Sequence, residues 1–464
     1  MGPQVVDTEE DLGRIRDGSR ILRFTLPSIA MMMFISTYGL VDGAFISNFV
    51  STDALASINI LMPVMSLLTG MGFMFSTGGS AYVANLMGQG SMDKARGSMS
   101  LILLVATAIS AAFVLAGFLF AEQLVSLLGA DESIADSSLE YAYWFLPFVP
   151  FLILQFIVSQ FLIVAGSPGM SLALSVAGGL ANIILDYLMI VVLDLGLPGA
   201  AVASGVGSLI PSVGGMAFFL DRRRSLRLVK PSRDMEAIAS TCSNGVSEMA
   251  SELSGGITTL CYNLVMMSHL GPDGVSAITV LSYMQFLALS AVIGYSSGIA
   301  PVMSYDHGGR DREGMGKVFR FSMLFVVSLS VAVFAAMELF SSDIARFFAG
   351  SSEEVVGIIV GGATVFSFGF LFMGFNVYAS SLFTSLSNGL LSALISLIRS
   401  LVLLAPLIVL LPSAFGIDAV WYAIPLTESV TATLSAFLVL RCGGRYGYMG
   451  GRASEKYEDP DERP

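Results

Sequence analysis

The sequence predicts an all-α integral membrane protein of about twelve transmembrane helices, arranged as two parallel six-helix repeats. Three observations carry that expectation: long uncharged apolar blocks, basic residues confined to alternate loops, and a pattern that returns after about 220 residues.

The apolar blocks come first. Of 464 residues, 55% are hydrophobic and 12% are charged, against about 25% charged in an ordinary soluble chain. Met99 to Phe120 and Phe145 to Ile184 carry no charge at all, and a bilayer core takes about 20 apolar residues per helix. The spans read as 21–48, 55–87, 98–120, 138–165, 171–193, 199–220, 244–269, 275–306, 318–340, 355–384, 390–411 and 419–440. The longest imply tilt or helix ends projecting into water. The polar, acidic first residues do not resemble a cleavable signal peptide, so the first span is expected to direct membrane insertion.

The basic residues set the orientation. Arg14, Arg16, Arg20 and Arg23 precede or open span 1, and Lys94 and Arg96 follow span 2. Arg222, Arg223, Arg224, Arg227, Lys230 and Arg233 fill the central loop. Arg310, Arg312, Lys317 and Arg320 follow span 8, and Arg441, Arg445, Arg452, Lys456 and Arg463 fall in the tail. Arg346 and Arg399 are the exceptions, while the loop after span 3 is acidic. Lysine and arginine accumulate on the cytoplasmic side. Both termini are therefore expected in the cytoplasm of a cell-membrane protein with an even number of spans.

The repeat is visible in three matches. Asp53-Ala-Leu-Ala-Ser-Ile aligns with Asp273-Gly-Val-Ser-Ala-Ile, Gly79-Ser-Ala-Tyr-Val with Gly298-Ile-Ala-Pro-Val, and Leu195-Gly-Leu-Pro with Phe415-Gly-Ile-Asp. Their common spacing indicates an internal duplication. Six spans per half makes the halves parallel, a plan associated with transporters. The expected layout is an N-terminal arm 1–20, an N-lobe 21–220, a basic linker 221–243, a C-lobe 244–440 and a solvated tail 441–464.

Composition excludes several functions. A net charge of −12 is not the footprint of a nucleic-acid partner. Cys242, Cys261 and Cys442, with His269 and His307, fit no metal spacing or disulfide framework. No Walker, GxSxG or HExxH motif occurs, so neither an enzyme nor an ATP-driven pump is expected and no cofactor is called for.

Ionised side chains in hydrocarbon point to function. Asp42 lies in span 1 and Asp186 in span 5, with Asn182 one turn before Asp186 on the same helix face. Ser204 in span 6 adds a hydroxyl. These hard oxygen ligands could hold a small cation, with Na⁺ at Asp42, Asn182 and Asp186 as one reading, or share a proton. Alternatively they only tie helices together. At the repeat spacing their counterparts are not acidic, as a structural need common to both halves would require. Glu248 and Glu252 in span 7 and Glu428 in span 12 are candidates for coupling or substrate binding in the second half. Arg399 is expected to pair with an acid or to reach the interface. The 25 Met and 32 Phe include adaptable and aromatic surface suited to varied organic cations. Tyr38, Met33 and Met65 are candidates for lining a cavity.

Val41-Asp-Gly-Ala-Phe-Ile-Ser-Asn-Phe-Val, then Asp53-Ala-Leu-Ala-Ser-Ile-Asn, Gly88-Gln-Gly, and Asn182-Ile-Ile-Leu-Asp with Gly199-Ala-Ala-Val-Ala-Ser resemble the multidrug and toxic compound extrusion (MATE) family over about residues 20–440. The resemblance implies a two-lobe bundle that exports organic cations and amphipathic drugs in exchange for Na⁺ or H⁺. It matches Asp42 to the family's first-helix acid and Asn182 and Asp186 to its fifth-helix pair. Ser204 stands where relatives often have threonine, and Glu248 or Glu252 could be the seventh-helix acid of some branches. The expected partners are small organic molecules and the bilayer, with the chain a monomer. A lipid-linked saccharide flippase of the same superfamily and a non-transporting receptor or scaffold are the alternatives.

Overall fold

A computed structural model describes residues 11–50, 57–130, 134–349 and 353–449, without the side chains of 40–48 and 347–349. Helices α1 to α6 are Gly18–Phe49, Met62–Gly88, Met92–Leu127, Ala135–Val164, Pro168–Val192 and Gly196–Leu220. Met235–Gly308 supplies α7 (235–270) and α8 (272–308). Arg312–Ala349, Glu353–Ser385, Gly389–Phe415 and Ile417–Tyr446 are α9 to α12.

Ten helices among the described residues are long and apolar enough to cross a membrane. Met235–Gly308 is one of them, but its 74 residues would run about 110 Å if straight. It breaks at Gly271, where φ is 64° and ψ is −152°, a conformation open to glycine, and so crosses twice. Met62–Gly88, at 27 residues, completes the twelve.

The duplication is written in the backbone. A 3₁₀ turn interrupts α4 at Leu146–Phe148, and another interrupts α10 at Ser367–Gly369. Gly90, Gly166 and Gly196 have positive φ in the first half; Arg310, Ser387 and Gly416 do so about 220 residues later. Prolines shape the helix starts: Pro63 and Pro168 sit in first turns, where a missing N–H loses no bond. Asp234 caps α7 through the Glu236 amide, and Asn388 caps α11 through the Leu391 amide.

One apolar core fills the first half and two fill the second. Helices α1, α2, α7 and α8 form the seam between the halves. There the backbones almost touch. A Cβ on Gly78 would overlap the Thr241 carbonyl, and one on Gly245 the Met74 carbonyl. Gly88 and Gly308 meet the carbonyls of Tyr305 and Asn85 in the same way. These contacts sit toward the ends of the helices that share a face with the chain termini.

Several boundaries differ from the expectation. The helix of α7 starts at Met235, so the linker shortens to 221–234. At the other end α12 runs to Tyr446, and Tyr448 beyond it is buried, donating its hydroxyl to the Val439 carbonyl at 2.8 Å. The tail thus packs through this point rather than being solvated from 441. In the arm, Leu12 and Ile15 are buried in a second-half core. Helix α3 extends well past the expected 98–120, because its polar ends continue into the aqueous zone.

Candidate functional site: an inward polar face beside an uncharged cavity

Helix α5 inverts the usual amphipathic pattern. Its buried residues are Pro168, Ser171, Ser175, Gly178, Gly179, Asn182 and Asp186, a spacing of three and four that marks one face. Leu180, Ile184 and Tyr187 are exposed on the outside of the bundle. Small and polar groups face inward and apolar ones outward, the arrangement hydrocarbon imposes.

Two helices close on this face. From α1, Phe34 and Tyr38 pack over Gly179, with their rings 5.7 Å apart. From α6, Gly207 comes so near that an added Cβ would stand 3.0 Å from the Asn182 Cβ. Asp186 is fully buried. The Asn182 amide oxygen is buried and accepts no hydrogen bond among the described residues. After Asp186, the helix widens into a π-helical turn at Tyr187–Val192, a feature frequent at functional sites. Ser204 is half-buried in α6, one turn before Ser208, which donates to its carbonyl at 3.2 Å. The side chain of Asp42 lies outside the described residues.

A small cavity of about 70 Å³ opens beside this face. Met31, Met32 and Tyr38 of α1 line it, with Phe73 and Thr77 of α2, and Gln155, Phe156 and Gln160 of α4. Among the described residues, no charged side chain contributes. Of the three lining candidates, Tyr38 is on the wall; Met33 is 41% exposed and Met65 packs against the first-half core, so neither lines this cavity. Gln155 and Gln160 are wall residues the sequence reading passed over. Two neutral amides inside an apolar span were the available signal. Gln160 also donates to the Ser297 carbonyl of α8 at 2.9 Å, linking the halves.

The second half is organised differently. Glu428 is buried in α12 and pairs with Arg399 of α11, Nε to Oε1 at 2.9 Å. Asn376 of α10 donates to the other carboxylate oxygen at 2.7 Å and to the Glu428 carbonyl at 2.9 Å. Arg399 again stands in a π-helical turn, Ile398–Leu404. Nearby, Ser247 of α7, Ser380 and Thr384 of α10, and Ser392 of α11 form a hydrogen-bonded cluster. Glu248 and Glu252 are half-buried on α7. Glu252 faces Gly70 of α2 across the seam, and Glu248 lies within electrostatic reach of Arg399. Among the described residues, Asn182 and Asp186 share the inward face of α5, while Glu428 pairs with Arg399 in the second half. Among the described residues, no three His, Cys, Asp or Glu converge as a metal cluster.

The MatE family model matches residues 27–188 and 257–410, one stretch in each half. The chain belongs to the MatE family, whose members are transporters and not enzymes. The multidrug export protein MepA of Staphylococcus aureus is 24% identical over 434 residues, covering 90% of this chain and 92% of its own. MepA of Staphylococcus saprophyticus is similar to the same extent. Among solved structures, MATE in complex with MaL6 superposes with a TM-score of 0.88 at 20% identity, over 93% of this chain and 98% of that one. An outward-facing multidrug resistance MATE family transporter of the MOP superfamily gives 0.86 at 20% identity, over 94% and 97%. These likenesses establish for this MatE protein the two-lobe fold of a multi-pass membrane transporter.

Proposed function

We propose that this protein is a secondary active efflux antiporter that exports organic cations and amphipathic drugs in exchange for H⁺ or Na⁺. The observation that carries the reading is the inward face of α5, where buried Asp186 and an Asn182 oxygen that accepts no hydrogen bond among the described residues stand beside an aromatic cavity whose described wall is uncharged. In this scheme the lobes are 21–220 and 235–446, joined by the basic linker 221–234. The basic face is cytoplasmic and the chain works as a monomer.

Asp42, Asp186 and Asn182 take the coupling ion, with Ser204 as a further oxygen. A proton would sit on one of the two carboxylates. A sodium ion would draw on the same hard oxygens. The uncharged, polarisable wall suits substrates whose cation is delocalised over rings, through the faces of Phe73, Phe156 and Tyr38. Export requires that the ion bind the two access states with different affinity. The glycine contacts between α2 and α7 and between α2 and α8 hold the halves together toward the basic face, so the proposed cycle must part them to open that face. A polyanionic lipid-linked substrate would need a basic wall. Arg399 is the base among the described spans nearest their middle, and it is held by Glu428.

The test is efflux of a fluorescent organic cation from proteoliposomes under an imposed pH or Na⁺ gradient, in wild type, Asp42→Asn and Asp186→Asn. Gradient-driven export that both substitutions abolish supports the reading and identifies the ion. Export unaffected by either substitution places coupling elsewhere, with Glu248 and Glu252 next to be tested. If neither gradient moves the dye, drug antiport fails for that class.

A further inference from the structure

The loop joining the two lobes has a chemistry that transport does not use. Residues 221–234 contain six basic and two acidic side chains. Both acids are already engaged: Asp221 by Arg224, and Asp234 by Lys94 at 3.3 Å and by the Tyr82 hydroxyl. Elsewhere on this face many cations have acidic partners, as Arg16 does with Asp306 and Asp311, Arg96 with Asp93 and Lys317 with Glu313. Arg222, Arg223, Lys230 and Arg233 have no carboxylate within 4.0 Å among the described residues.

The loop is also fixed in place. Leu226 is fully buried. The Leu228 amide donates to the Phe219 carbonyl at 2.8 Å, the Val229 amide to the Ser100 hydroxyl at 3.0 Å, and the Ser232 amide to the Gly97 carbonyl at 3.1 Å. From α3, Arg96 donates to the Ser225 carbonyl at 2.8 Å. A loop pinned at four points presents its charges without first having to be ordered. Flanking the charges are exposed apolar side chains, Leu220 at 68% and Met235 at 71%, at the two helix ends that border the loop.

We infer that this loop is a docking surface for anionic phospholipid headgroups, whose phosphates meet Arg222, Arg223, Lys230 and Arg233 while Leu220 and Met235 reach into the acyl region. Clustered juxtamembrane cations attract anionic lipid strongly, and the attraction decays within a Debye length. The guanidinium fork adds paired hydrogen bonds to phosphate oxygens. Because the same loop connects the lobes, a bound lipid layer holds their joint at the membrane surface.

The experiment measures lipid selectivity directly and needs no transport. The full-length protein is placed in phosphatidylcholine bilayers containing spin-labelled phosphatidylglycerol or spin-labelled phosphatidylcholine, and the motionally restricted fraction is read by EPR. Wild type should restrict phosphatidylglycerol over phosphatidylcholine by at least about threefold. The variant Arg222→Gln, Arg223→Gln, Lys230→Gln, Arg233→Gln should bring the ratio close to one. A control variant, Arg23→Gln, Arg320→Gln, Arg441→Gln, should keep most of it. Raising NaCl to about 0.5 M should erode the wild-type preference, a readout that stands even if the fourfold variant does not fold. No wild-type preference, a fourfold variant that keeps it, or equal loss in the control would overturn the inference. Displacement of the labelled lipid by millimolar inorganic phosphate would also overturn it, since that would mark a site for free anions.

Discussion

Arg399 on α11 and Glu428 on α12 form an ion pair inside the second lobe, and Asn376 on α10 holds the carboxylate oxygen that Arg399 does not. Three helices are thus tied by one buried charge. Removing one partner from such a pair leaves the other charge uncompensated, at a cost of about 3–5 kcal/mol, whereas replacing both with apolar groups is often close to neutral. Arg399→Ala should therefore lower the thermal unfolding temperature in detergent markedly. Arg399→Leu combined with Glu428→Leu should recover most of the loss. Equal losses in the single and double variants would show that the pair does not hold these helices.

The first lobe answers to the opposite logic. Asn182 is buried, yet its amide oxygen accepts no hydrogen bond among the described residues. Deleting an oxygen that makes no bond should cost roughly 1 kcal/mol or less. Asn182→Ala should leave the unfolding temperature nearly unchanged and weaken the apparent affinity for the coupling ion by about tenfold, equivalent to one lost charge-assisted contact of ~1.4 kcal/mol. The measurement is dye efflux as a function of Na⁺ or H⁺ concentration on the driving side. Glu428→Gln, in the same assay, should leave the ion dependence where it was. A stability loss in Asn182→Ala with unchanged ion dependence would make the residue a packing element.

How far the sequence reaches differs from link to link. Spans and the duplication are legible because each helix meets its own solvent, and hydropathy and basic-residue asymmetry record that meeting directly. Helix rotation is not. Met31, Met32 and Met33 are chemically identical, and each step turns the side chain by about 100°. Two of them line the cavity and the third is exposed, a phase that composition cannot report when lipid and interior are both apolar. Asn182 and Asp186 were legible as a pair because i and i+4 fix a shared face whatever the rotation. The partner of Arg399 was not, since Glu428 lies on another helix and only packing brings the two together. The start of α7 at Met235 was missed because its first turns are polar and carry no hydropathy signal.

Gly78 and Gly245 let α2 and α7 approach until backbone meets backbone. Gly245→Val would drive a branched side chain into the Met74 carbonyl, and a carbonyl cannot swing aside as a side-chain tip can. The arrangement with the basic face closed should lose population. Spin labels at Asp93 and Glu313, which follow α2 and α8 on that face, would report this as a shift toward longer distances. The control is Gly256→Val, because no described residue lies within 4 Å of a Cβ added there. An unchanged distance distribution in Gly245→Val would mean that the lobes close without this contact.

The cavity wall yields the last prediction. Phe73 and Phe156 stand with ring centroids 4.6 Å apart, and Gly72 leaves room for Phe156 that a Cβ would take, since it would stand 2.7 Å from the ring. The ring is therefore held in position by both neighbours and offers a fixed face to the cavity. An aromatic contact of this kind contributes about 0.5–1.5 kcal/mol beyond buried area, and a cation over the ring adds a comparable amount. Phe156→Ala should raise KM for a planar aromatic cation about five- to tenfold, while an aliphatic quaternary ammonium of similar volume loses less. Phe156→Tyr should stay near wild type for both. The concentration dependence of export from proteoliposomes separates the cases: a uniform fall in maximal rate with unchanged KM would assign Phe156 to packing between α2 and α4, and a KM shift confined to aromatic substrates would assign it to recognition.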